Sequence, residues 1–550
     1  MPRSVSLARN DSSLSKGEGG GEEKILHLPK LIPPLKILVH QNAKIPLKVI
    51  SSNPEEVHPT SKTSTEAFWE LAEKFPDEII GWCEEGLLGN LEMDHWEGIF
   101  YHNLIMASYA VKTTFLPAGI GYVDELPFIN VKRNVSYGTW LMSSDVGGIK
   151  GGILLKFRQL FRDEKDFNFL LNSIAKIGQQ NGLLCYSEPG LVRSSENATL
   201  ESRASQYDLF RFVYQHYTTA WTSVLLLCLV VYERSFPLLA YLKSFFHPKI
   251  FRRSINLSGL MNPSRKSIST SETIDVIIPT MGRAQYLYDV LKDFSAQTHL
   301  PKKIILIEQN ADPEAVSELD FIKDEKWPFE LAHHFIHRTG ACNARNIALE
   351  KVTSEYVFFA DDDIRFSRNL LKDIISEINK YHLCAVNMNC KQPGEETVFG
   401  KIKQWGSFGS GTSFVRSLYA KKCQFSEVFE HGHGEDADFG MQLRKVGCDI
   451  IYHPNLEIQH LKAPLGGFRQ KPELEWEKEC PLPKPSPTVM AYALRNYTPQ
   501  QIRGYKASLF LKFYPRQKIK NPFSYISSMN KRWEKSKIWA ERLIKQGNDF

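Results

Sequence analysis

Three consecutive carboxylates, Asp361-Asp362-Asp363, follow an unbroken apolar run, Tyr356-Val-Phe-Phe-Ala360. Adjacent acids repel one another, and burying their stems requires a counter-charge. A hard divalent cation with oxygen ligands supplies it. Asp361 and Asp363, as alternate carboxylates, can reach one ion directly or through water. A solvated acidic loop is the bland alternative, but this triplet abuts a buried run and not a polar one. A second acidic group, Glu435-Asp436-Ala-Asp438, opens a helical stretch that reaches Lys445 and is preceded by Gly432 and Gly434. Acids in a first helical turn are ordinary partners of the helix dipole. The glycines add the freedom for backbone to approach a ligand closely. His460 follows the strand-like Leu456–Gln459 and precedes Leu465-Gly466-Gly467. A lone histidine is more often structural than a ligand; the same caution applies to His431, His433 and His453.

Elements that alternate in type must position these groups. Ile274–Ile278 is a β-branched run ending at Pro279-Thr280, and Tyr286, Leu287, Val290, Leu291 and Phe294 then recur at helical spacing. Lys303–Glu308 reads as the next strand, Ala341–Leu349 as a helix and Tyr356–Ala360 as a buried strand. Leu370–Ile378 is helical again and Leu383–Met388 is another strand. Such alternation predicts an α/β fold with a mostly parallel sheet covered on both faces. Ligands of such sheets bind beyond the carboxyl ends of the strands, where the acidic triplet lies.

The chain has 550 residues, 42 % hydrophobic and 24 % charged, with net charge +6. This is enough to bury a sizeable core and too weakly basic to argue for nucleic acid. The nine cysteines are scattered, with no C-x-x-C pair, and read as reduced thiols of a cytosolic protein. Met1 to about Glu23 is rich in Ser, Gly and charge, has no apolar run and reads as a disordered tail, not a signal peptide. Ala220–Tyr232 is almost wholly apolar, Phe236–Phe246 is apolar again, and Lys249, Arg252, Arg253, Arg265 and Lys266 follow. A core helix pair, a hairpin on a membrane surface and a true span are three readings of this stretch. The basic flank suits anionic headgroups on a cytosolic face. The C-terminal segment mixes many Lys and Arg with Phe, Tyr and Trp. It suits a membrane surface or a polyanion, or simply a solvated helix face.

From Ile274 to Gly467 the ordered set of motifs resembles the inverting family 2 glycosyltransferases of GT-A fold. Val276-Ile-Ile-Pro279-Thr280 with Arg283 is similar to that family's opening strand and turn. Ile304-Ile-Leu-Ile-Glu308 resembles its second strand, whose terminal acid contacts the nucleotide base; that acid is usually Asp. Gly340-Ala-Cys-Asn-Ala-Arg345-Asn346 resembles the segment beside the nucleotide. Phe359-Ala-Asp361-Asp362-Asp363 is similar to the D-x-D metal motif. Gly409-Ser-Gly411-Thr412 resembles the acceptor-side turn, and Glu435-Asp436 the pair holding the catalytic base. His460 falls where many relatives keep a third metal ligand.

The resemblance implies Mn2+ or Mg2+ held by Asp361, Asp363 and His460, bridging the diphosphate of a sugar nucleotide, with a UDP-sugar favoured. Asp362 and Arg345 would position ribose and sugar. Asp436 would take the proton of an acceptor hydroxyl on a glycan or lipid-linked chain, with inversion at the anomeric carbon. Apart from the resemblance, the charge of Lys462 and Arg469 and the Gly466-Gly467 hinge point to a loop that would close over the diphosphate. Such an enzyme would build cell-surface polysaccharide from the cytoplasmic face of the membrane, with peripheral membrane contact. The rivals are a sugar nucleotidyltransferase, for which Pro279-Thr-Met-Gly-Arg283 is too short a basic loop, and a non-catalytic glycan-binding scaffold.

Residues 25–192 echo the second half of the 272–470 region. Asp166-Phe167, Gly178, Gly182, Leu183–Tyr186 and Pro189 run like Asp438-Phe439, Gly447, Ile450–Tyr452 and Pro454. Gly147–Gly152 is expected at the place of Gly406–Gly411, and Phe75–Glu85 at the place of the strand and acidic triplet. The expectation is a degenerate GT-A-like module without a complete metal site. It is followed by an apolar helical segment and basic linker at 193–271, the catalytic module at 272–470 and a basic helical extension at 471–550.

Overall fold

β-Branched and aromatic runs build two mixed sheets that meet edge to edge. The computed structural model describes residues 34–51, 59–193, 203–257, 259–260, 272–464 and 473–547; the expected tail at 1–24 lies outside them. The first sheet holds β1 (Leu35–Gln41), β2 (Ile45–Ser51), β3 (Ile79–Glu84), β4 (Ile105–Tyr109), β5 (Tyr137–Gly138), β6 (Val146–Lys150) and β7 (Leu184–Ser187), in the order β2-β1-β3-β6-β4-β7-β5. The second holds β8 (Ile274–Thr280), β9 (Lys303–Gln309), β10 (Glu330–Ile336), β11 (Tyr356–Ala360), β12 (Ile364–Phe366), β13 (Ala385–Lys391), β14 (Lys403–Gln404), β15 (Thr412–Arg416) and β16 (Ile450–His460). Its order is β10-β9-β8-β11-β15-β13-β16-β12, with β14 also on β16.

In the second sheet β8, β9, β10, β11, β13 and β16 run one way and β12, β14 and β15 the other. Period-two alternation splits its core into two layers. Val276, Ile278, Ile304, Leu306 and Phe358 face one layer with the helix Ala284–Ser295, while Ile277, Ile305, Ile307 and Phe359 face the other with the helix Ala341–Glu350. The codirectional strands β8, β9 and β11 therefore end at one edge, delivering Thr280, Gln309 and Asp361 there.

The two sheets repeat one topology. The series β1, β3, β6, β4, β7, β5 corresponds to β8, β11, β15, β13, β16, β14, and each neighbouring pair has the same relative direction in both. Ile79 opens β3 opposite Leu35 as Tyr356 opens β11 opposite Ile274, so Glu84 stands where Asp361 stands. Val146 pairs with Cys83 as Thr412 pairs with Ala360. Gly147 and Gly148 thus lie inside β6, in the place of β15 and not of the turn before it. The modules differ after their first strand. A helix and two parallel strands follow β8, whereas Asn42 and Ala43, both at positive φ (54° and 58°), turn β1 straight back into antiparallel β2. Glu84 is consumed there: its carboxylate pairs with His40 Nδ1 at 3.0 Å and accepts from Asn42 N–H at 3.0 Å.

The modules meet through equivalent parts. The helix Phe167–Gln180 touches β14 and its counterpart, the helix Glu435–Lys445, touches β5. The helices Pro487–Asn496, Pro499–Phe513 and Pro522–Gly547 pack Met490, Ala491, Trp533 and Ala540 on the second sheet. They also reach the first module, where Gln501 Nε2 donates to Asp124 O at 3.0 Å. In the apolar segment, Leu225, Cys228 and Leu229 of the helix Thr219–Glu233 join the first core, while Leu227, Val230 and Val231 are exposed. Among the described residues no helix is long and apolar enough to cross a membrane.

Candidate active site

The edge formed by β8, β9 and β11 opens into a cavity of about 380 Å³. Lining it are Pro279, Thr280, Arg283, Gly340, Arg345, Asp361, Asp362, Asp363, Gly411, Glu435, Asp436, His460 and Lys462, of the residues singled out in the sequence. They converge from both ends of the region, carried by strand ends, one strand-to-helix turn and one helix N-terminus.

The apolar strand β11 runs directly into the triplet, so its three side chains diverge. Asp362 is 3 % exposed and turns inward, where it accepts from Thr280 Oγ1 at 2.7 Å and Arg283 Nη1 at 2.8 Å. Burial nevertheless pushes its carboxyl up to about 6. Asp361 meets Arg345 Nη2 at 3.2 Å. Asp363 meets His460 Nε2 at 3.1 Å and accepts from Ala463 N–H at 2.8 Å. Burial works against its charge, but these two partners hold it below the ordinary carboxylate range. The hydrogen bond to Asp363 in turn pushes His460 up to about 10. One ligand atom each from Asp361, Asp363 and His460 lies within 4.8 Å of the others. Two carboxylates and an imidazole at this separation suit a hard or borderline divalent cation such as Mg2+ or Mn2+.

The opposite wall is the first turn of the helix Glu435–Lys445, entered through Gly434 at φ 118°. Ser410 hydrogen-bonds to the Asp436 carboxylate, yet buried Oδ1 has no hydrogen-bond partner. Arg345 Nε and Nη1 are buried donors without an acceptor. Burial first, then the neighbouring Asp436, pushes Glu435 up to about 7; burial raises Asp436 as well. Gly411 lets the backbone close on the triplet, since a Cβ there would fall 1.9 Å from Asp361 Oδ2.

Asp438, His433 and His453 do not line the cavity, and neither do two residues expected at the nucleotide, Glu308 and Asn346. Glu308 points to the other face of β9, accepting from Ser317 Oγ (2.6 Å), His333 Nε2 (2.8 Å) and Glu318 N–H (2.9 Å). Alternation along the strand presents Gln309 instead, whose Oε1 accepts from Gly340 N–H at 2.6 Å. Asn346 clasps the backbone of Phe425 through both amide atoms at 2.8 Å and holds the helix Ala341–Glu350 in place. Arg469 and Gly466-Gly467 lie outside the described residues. Gln309 and Ser410 line the cavity without having been singled out, and His431, weighed as a structural histidine, lines it too. The first was hidden by the face of its strand, and the others sit in turns with no periodic signal.

The profile of the family described as glycosyl transferase family 2 matches residues 275–444. An uncharacterized glycosyltransferase of Rickettsia bellii (strain RML369-C) is 24 % identical over 160 residues, 29 % of this chain; the match spans 23 % of that relative's length. Among solved structures, S. aureus TarS 1–349 in complex with UDP-GlcNAc aligns at TM-score 0.34 and 17 % identity, over 46 % of this chain and 75 % of that one. GalNAc-T7 with UDP, GalNAc and Mn2+ aligns at TM-score 0.35 and 12 % identity, over 47 % and 54 %. The residues that match the glycosyl transferase family 2 profile, 275–444, are those built on the mixed, mostly parallel second sheet, an α/β fold.

Proposed function

We propose that residues 272–470 catalyse inverting transfer of a sugar from a nucleoside-diphosphate donor, a UDP-sugar by preference, to a hydroxyl. The acceptor is a glycan or lipid-linked chain of the kind used in cell-surface polysaccharide assembly. One observation carries the reading: the three cation-ligand groups and the orphaned Asp436 Oδ1 share one cavity. A non-catalytic scaffold has no need of that convergence.

Asp361, Asp363 and His460 would hold Mn2+ or Mg2+, which supplies positive charge against the departing diphosphate. The buried Nε and Nη1 donors of Arg345 orient the donor sugar or its ribose. Asp362, engaged by Thr280 and Arg283, keeps that turn in place beneath it. Asp436 Oδ1 accepts the hydroxyl proton as the acceptor oxygen bonds to the anomeric carbon and the nucleoside diphosphate leaves. Lys462, on the loop after β16, adds a cation at the cavity mouth.

A nucleotide-sugar hydrolysis screen with Mn2+ tests this. With the best donor, Asp363→Ala and Asp436→Asn should each lose at least about a hundredfold in rate. Full activity in both variants would overturn the assignment.

A further inference from the structure

We propose that the outer face of the helical hairpin 219–246 docks in the plane of an anionic lipid bilayer. This goes beyond the transferase reading and does not depend on it. The inner side of the hairpin is settled: Leu225, Cys228 and Leu229 are buried in the first core, and the Phe245 ring packs on Tyr214 and Tyr241. The outer side carries Leu227, Val231, Phe236, Leu239, Leu242 and Phe246, with Phe236 and Leu239 each 66 % exposed and Phe246 88 %. Positions 227 and 231, and 238, 242 and 246, recur at helical spacing, so these side chains form stripes and not scattered exposures. A contiguous apolar surface on a soluble face marks a contact with something apolar.

Charge says what that something is. Between residues 209 and 271 the chain has eight Lys and Arg and one acid, Glu233. Glu233 accepts from Tyr122 OH at 2.9 Å. Arg234, Lys243, Arg252 and Arg253 are exposed beside the apolar stripes. The neighbouring helix Pro499–Phe513 adds a second edge: Arg503 lies 5.5 Å from the Tyr232 ring and Lys512 5.6 Å from the Trp221 ring. Exposed leucine, valine and phenylalanine, with exposed cations close in the chain and cation–ring pairs on the neighbouring helix, are what a surface of acyl chains and anionic headgroups recognises. A second copy of the chain would bring its cations against these. A span is ruled out by geometry: the helix Thr219–Glu233 has 15 residues, about 22 Å at 1.5 Å each, and one side is buried in protein.

Sedimentation of the purified full chain with vesicles tests the proposal. Phosphatidylcholine vesicles containing phosphatidylglycerol should carry the protein down, pure phosphatidylcholine much less, and added salt should release it. The variant F236S/L239S/F246S and the charge variant K243S/R252S/R253S should each lower the bound fraction at least about tenfold, with far-UV circular dichroism unchanged. Equal binding by wild type and both folded variants would overturn the proposal. So would failure of the wild type to bind, or a dimer in light scattering that the same substitutions dissolve.

Discussion

At the scale of single residues, the acid pair at the helix entrance behaves unlike ordinary carboxylates. Glu435, ordinarily near 4.5, is pushed up to about 7, and Asp436 is raised by burial too. A base works only as its carboxylate, and burial raises Asp436, so the proposed transfer should fall with dropping pH before the usual carboxylate region is reached. Glu435→Gln removes the like charge beside Asp436 and should move the acid limb of the pH–rate profile to lower pH. A limb that stays in place would show that Asp436 titrates independently. Linkage has the opposite sign for stability. A raised carboxyl stabilises the fold below its unfolded pKa and loses that contribution as pH climbs from about 4.5 to about 7. Glu435→Gln should therefore raise the melting temperature more at pH 8 than at pH 4.

At the scale of elements, two contacts hold the cavity's walls. The Glu430 carboxylate accepts from the N–H groups of Cys342 (3.1 Å) and Asn343 (2.9 Å), capping the helix that carries Arg345. Gly340, at φ 141°, admits it, since a Cβ there would fall 2.3 Å from Glu430 Cδ. Glu430→Ala should cost about 1–2 kcal/mol in urea unfolding by freeing two helix N-terminal donors. The turn before β15 presses on the triplet in the same way. Gly411→Ala should displace the Asp361 carboxylate and weaken Mn2+ binding roughly tenfold or more by calorimetry, with the fold intact.

At the scale of the whole molecule, two sheets that share a series of six strands face each other through matching parts. Gln404 in β14 is the joint. Its Oε1 accepts from Cys185 N–H and Gln179 Nε2, each at 2.9 Å, and its Nε2 donates to Cys185 O (2.9 Å) and Asp449 (2.6 Å). Gln404→Ala leaves these buried groups without partners and should cost about 3 kcal/mol. The denaturant midpoint should fall, with two transitions if the modules then unfold separately. Only the second module keeps the helix and parallel strands after its first strand. The first folds back at once and places the His40–Glu84 pair at the equivalent edge.

The order of elements from Ile274 to Lys445 was legible in the residues because apolar periodicity is local. Ile274–Thr280, Tyr356–Ala360 and the helix Glu435–Lys445 lie where that periodicity puts them. The repeat was legible as an echo of glycine and apolar spacing, though the spacing misassigned Gly147–Gly152. Local pattern could not choose which face of β9 meets the cavity, and so Glu308 stood in for Gln309. Nor could it tell a cavity-lining asparagine from one that clasps a neighbouring loop, as Asn346 does. The apolar segment is half core and half surface for the same reason: hydrophobicity is written in the sequence, but which side of a helix finds protein is decided by what packs against it. The convergence of acids more than seventy residues apart in the chain (Asp361 and Asp436) depends on sheet order, which only long-range pairing creates.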